Sequence, residues 1–72
     1  MKNYTLDREK IRTLKFGKRL TNEVMAKKLG ISRNQYGKKE MGIVGFKEEE
    51  ICNIAKALEV EPGFLFTQSV SL

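Results

Sequence analysis

The sequence predicts an all-α domain of five short helices, and three observations carry that expectation. Its apolar spacings follow the helical period, with no sustained strand alternation. Capping residues and glycines cut the chain into short segments. Its 72 residues allow one small core. The domain is expected over residues 1–66, with 67–72 as a C-terminal tail.

Asp7 or Thr5 caps a first helix, which turns Ile11 and Leu14 inward and stops at Gly17. Thr21 caps the second, with Leu20 and Met25 at staple positions and Glu23 in the first turn, where the helix dipole favours negative charge. Met25, Ala26 and Leu29 form its inner face, and Gly30 suits a left-handed stop. Ser32 and Gln35 spell a capping box for the third helix, which carries Tyr36 inward and ends near Met41-Gly42. Ile43 to Phe46 reads as a loop. Glu48, Glu49 and Glu50 open the fourth helix, where Ile51, Ile54, Ala55 and Leu58 recur on one face. Pro62 suits the first position of a short fifth helix holding Phe64, Leu65 and Phe66.

Charge is unevenly divided. Residues 1–39 carry 12 basic and 3 acidic side chains, a net +9, whereas residues 40–72 carry 2 and 6, a net −4. The basic half steers such a molecule toward a polyanion. There is no His and a single Cys, which excludes an internal disulfide and the usual zinc ligand sets. No phosphate-cradling glycine loop follows a strand, so an enzyme, a cofactor and a small-molecule substrate are not expected. Cys52 sits one residue beyond the apolar stripe and is expected to be semi-buried and inert. No apolar run approaches the roughly 18 residues of a membrane span, and the first residues lead into charged sequence, so a cytoplasmic protein is expected.

Thr21 to Gly42 is the informative segment. Two capped helices flank a three-residue turn, Gly30-Ile31-Ser32, which is the spacing of a crossed helix pair that presents its second helix outward. With Tyr36 inward, Arg33, Asn34, Gly37 and Lys38 fall on the opposite face, flanked by Gln35 and Lys39. Arg pairs with guanine, Asn with adenine, and Lys with guanine or phosphate. Asn22, with Lys18, Arg19, Lys27 and Lys28, is placed to grip a phosphate backbone.

Leu20 to Glu23 and Ala26 to Arg33 resemble the Cro/cI-type helix-turn-helix family. Ile11 to Leu14, Ile54 to Val60 and Pro62 to Phe66 resemble that family's first, fourth and fifth helices, so the likeness covers about residues 8–66. It implies a five-helix, lambda-repressor-like domain that binds operator DNA, with base-reading positions at Ser32, Arg33, Asn34 and Lys38. Four residues depart from the family pattern. Lys39 stands where a buried aliphatic residue is usual, Asn22 replaces a Gln, and Glu48 replaces an apolar residue. Gly37 lies inside the reading helix, at a cost of about 1 kcal/mol against Ala. The short chain is also similar to the small Cro-like and modulator-of-repression proteins of temperate, lactococcal-type phages. The latter act by binding the main repressor. The implied partners are double-stranded operator DNA, a cognate phage repressor and a second copy in a weak homodimer. Glu48, Glu49 and Glu50 then read either as dipole compensation or as an acidic patch facing a basic repressor.

Overall fold

The computed structural model describes residues 2–70. In chain order it comprises strand β1 (Lys2–Leu6), helices α1 (Arg8–Gly17), α2 (Asn22–Leu29), α3 (Arg33–Glu40) and α4 (Glu48–Leu58), a 3-10 turn (Pro62–Leu65) and strand β2 (Phe66–Val70).

The helix ends follow the capping logic of the sequence. Asp7 Oδ1 accepts from the Lys10 N–H at 3.0 Å, and Thr21 Oγ1 accepts from Val24 N–H at 3.2 Å. Ser32 and Gln35 close both halves of a capping box, each at 3.1 Å. Gly30 ends α2 in the left-handed region (φ 72°), and the Ile31 N–H reaches back to the Ala26 carbonyl at 3.0 Å. That backbone is strained for any residue with a Cβ, so glycine is what permits so short a link between α2 and α3.

Two expectations are corrected. The described residues hold four α-helices, not five. The fifth segment makes only a four-residue 3-10 turn, because Phe66 already adopts extended backbone (φ −106°, ψ 142°). The stretch expected as a tail is also structured as far as Val70. β2 pairs antiparallel with β1, from Leu6 opposite Phe66 to Lys2 opposite Val70. Residues 71 and 72 lie outside the described residues. Asp7 locks the sheet to the helices. Its N–H donates to the Leu65 carbonyl at 2.8 Å, and its second carboxylate oxygen accepts from the Thr67 hydroxyl at 2.8 Å. With these hydrogen bonds its carboxyl is held below the ordinary range, the Lys10 backbone N–H contributing most.

Ile11, Met25, Ala26, Tyr36, Ile54, Ala55, Leu58 and Leu65 form the core, one stripe from each helix. Leu20, the staple residue before α2, and Ile31 of the turn pack half-buried against it with Leu14, Leu29 and Phe46. The Tyr36 ring meets Phe46 at a 6.0 Å centroid separation, tilted by 58°. Cys52 is exposed rather than semi-buried, because it projects from α4 away from the Ile54–Leu58 stripe.

Candidate nucleic-acid interface

The α2–turn–α3 unit carries the candidate face. α3 is anchored through Tyr36, which is fully buried. Its opposite side forms an open groove lined by Asn22, Arg33, Asn34, Gly37, Lys38 and Met41. Arg33, Asn34 and Lys38 make no side-chain hydrogen bond or ion pair with the described residues and are exposed. They converge as three unspent polar groups, two of them cationic. Asn22, at the start of α2, accepts from the Lys15 ammonium through Oδ1. Its amide NH2 is thereby left as the donor end, which is the polarity a phosphate oxygen requires.

The remaining sequence candidates divide. Ser32 is exposed but spends its hydroxyl oxygen on the cap, and Gln35 is turned back into the same box. Lys27 is exposed on the last turn of α2. Lys28 lines a different groove, with Asn53, Lys56 and Ala57 between α2 and α4. Lys18 is ion-paired with Glu59, whose carboxyl that contact holds below its ordinary range. Arg19 is exposed and takes left-handed backbone (φ 58°) in the α1–α2 link.

Lys39 does not join the face. It is buried, and its Nζ lies 2.6 Å from Glu50 Oε1. A side chain where an aliphatic one is usual has therefore taken its counter-ion inside with it. Glu50 consequently leaves the acidic patch, whereas Glu48 and Glu49 stay exposed. Glu50 also accepts from the Lys47 N–H at 2.8 Å, so one oxygen caps α4 and pairs with α3. Burial alone raises a carboxyl's pKa. Here the Lys39 and Lys47 hydrogen bonds and their charges outweigh it and hold Glu50 below its ordinary value of 4.5.

A second, partly buried pair grips the neighbouring residue. Glu40 receives Lys15 Nζ at 2.8 and 3.1 Å, and the same ammonium stands 5.6 Å from the centre of the Tyr36 ring. The Tyr36 hydroxyl has no hydrogen-bond partner among the described residues. Burial and the nearby Glu40 carboxylate push its phenol far above the ordinary range, so it stays protonated. Arg8 Nε donates to the Lys39 carbonyl at 3.1 Å. The C-terminal end of α3 is thus held by α1 on one side and α4 on the other.

Residues such as Glu50, held below their ordinary pKa, contribute stability that is full above the unfolded-state value and is lost as pH falls through the folded-state value. Thermal denaturation is expected to give a steady Tm from pH 7 to pH 5 and a falling one below about pH 4.5. In a Lys39→Leu/Glu50→Leu variant the fall should be shallower, leaving the share that Asp7 and Glu59 contribute. An equal acid response in both proteins would remove the pair from this role.

Sequence reasoning missed four neighbours of the face. Lys47 and Val44 line a second groove with Gln35, Lys38 and Lys39. Met41 and Ile43 stand 70% and 67% exposed just beyond α3. The signal for Met41 was present, since it lies four residues after Gly37 and three after Lys38, on the same helix face.

A capped helix pair with a buried aromatic anchor and an outward row of Arg, Asn and Lys has the layout of a helix-turn-helix unit. Residues 11–65 match the family described as Helix-turn-helix. The chain belongs to that Cro/cI-type helix-turn-helix family, a family of DNA-binding transcription regulators. No curated protein and no solved structure matches the chain. Among the described residues no helix is long and apolar enough to cross a membrane.

Proposed function

We propose that the protein regulates transcription by inserting α3 into the major groove of operator DNA, in the lysis/lysogeny switch of a temperate phage. The observation that carries this reading is the groove on α3, where Arg33, Asn34 and Lys38 stand exposed and without a hydrogen-bond or ion-pair partner among the described residues. Arg33 and Asn34 have the donor patterns for guanine and adenine edges, and Lys38 serves guanine or phosphate. Asn22 and Lys27 hold the backbone. The weak homodimer expected from the family likeness would set two half-sites about 34 Å apart. Fluorescence anisotropy of a labelled duplex tests the reading. Micromolar binding at low salt is expected, falling with a log–log slope of about −0.9 for each phosphate neutralised. Binding indifferent to salt, or none at low salt, would refute it.

A second reading has its own observation. Met41, Ile43 and Val44 are exposed just beyond α3, and exposed apolar side chains close together in the chain serve a protein better than a phosphate backbone. With Glu48 and Glu49 exposed at the start of α4, these side chains fit an antirepressor. Such a protein docks on the cognate repressor's DNA-binding domain and blocks its access to DNA. A complex that co-purifies without DNA is expected on this reading, and failure to form one would remove it.

A further inference from the structure

Gly37 has no internal reason to be glycine. It lies mid-way along α3 with helical backbone, outside the left-handed region that glycine serves elsewhere in the chain. A Cβ added there would meet nothing within 4 Å. Neither backbone nor packing asks for it, and a helix interior is weakened by it. What its missing side chain leaves is a gap in the row of side chains along the open α3 groove. Asn34 stands one turn before it, Lys38 beside it, and the exposed thioether of Met41 one turn after it.

We infer that this gap is a slot for the 5-methyl group of a thymine in the major groove. This rests on the DNA-reading role proposed above. Three features of the groove select that occupant. Its cationic walls, Arg33 and Lys38, favour a nucleic acid. Between the polar side chains of that lining lie the bare Gly37 backbone and the soft Met41 side chain, and the thymine methyl is the apolar group that the major groove displays. Asn34, one turn away, has the donor and acceptor pair that reads adenine, whose partner base carries that methyl. A side chain at position 37 would keep the helix from seating on it.

The test starts from the tightest duplex that the wild-type protein selects from a randomised pool. Each thymine in its footprint is replaced singly by deoxyuridine, which deletes only the methyl group. Binding about fourfold weaker is expected at one thymine position, the effect of one buried methyl, with no change elsewhere. Gly37→Ala is expected to melt at a higher temperature than wild type, to bind the thymine duplex at least fourfold more weakly, and to lose the distinction between thymine and uracil. A packing role alone would move stability and affinity together, not in opposite directions. Neutral uracil substitutions throughout, or undiminished binding by Gly37→Ala, would overturn the slot while leaving DNA reading intact. A pool that yields no duplex would overturn DNA reading itself. Weakened binding of Gly37→Ala to a repressor domain would then assign the gap to a protein.

Discussion

Lys39→Ala is expected to destabilise the protein by about 3–5 kcal/mol, because it leaves the Glu50 carboxylate buried without its cation. For a domain of this size that corresponds to a fall in Tm of more than about 10 °C. The size comes from the asymmetry of buried charge. Forming the pair gives back little more than the desolvation of its members, whereas breaking it exposes the whole cost of the remaining charge. The double variant Lys39→Leu/Glu50→Leu should therefore match the parent or exceed its stability, since two apolar side chains replace two desolvated ions. Urea denaturation of parent, single and double variants measures both effects. A single variant that loses less than about 1 kcal/mol would mean that the pair behaves as an exposed one.

Arg33→Ala has the next largest expected effect, and on binding only. Loss of a side chain that reads a base costs about 1–3 kcal/mol, roughly 5- to 150-fold in Kd, and relaxes specificity at one base pair. Tm should hold, because Arg33 is exposed and its side chain makes no hydrogen bond or ion pair with the described residues. Lys27→Ala is the informative contrast: uniform weakening across sequences and a salt slope shallower by about one. Selection of sites from a random duplex pool by the two variants separates base reading from phosphate holding. Unaltered site preference in Arg33→Ala would place that side chain outside the reading set.

The parts of the fold that local chemistry decides were legible in the sequence. Asp7, Thr21 and Ser32 each cap within three residues of themselves, and Gly30 needs only its own backbone freedom. The sheet was not legible. Its two strands are five residues each and lie at opposite ends of the chain, so neither reveals the other through local pattern. The same limit hid the burial of Lys39 and Glu50. A Lys beside Lys38 and a Glu beside Glu49 read as surface until the crossing of α3 and α4 brings them together across eleven positions. The outward placement of Arg33, Asn34 and Lys38 was legible because one inward anchor, Tyr36, fixes which side of α3 faces away from the core. Where Lys28 and Lys18 stand on the fold was not legible, for the converse reason. Being exposed and basic does not say which side of the molecule a residue faces, and these two lie toward α4 and its end.

Chemical-shift mapping with an unlabelled duplex tests the central claim most directly, in a titration of the ¹⁵N-labelled protein at low salt. With α3 as the reading element, the perturbed amides should cluster from Asn22 to Met41, with the largest shifts at Arg33, Asn34 and Gly37. Amides on the outer side of α4, around Glu49 and Cys52, should stay in place. Perturbations centred on α4 or on the β1–β2 sheet, with α3 silent, would contradict the assignment of the recognition face.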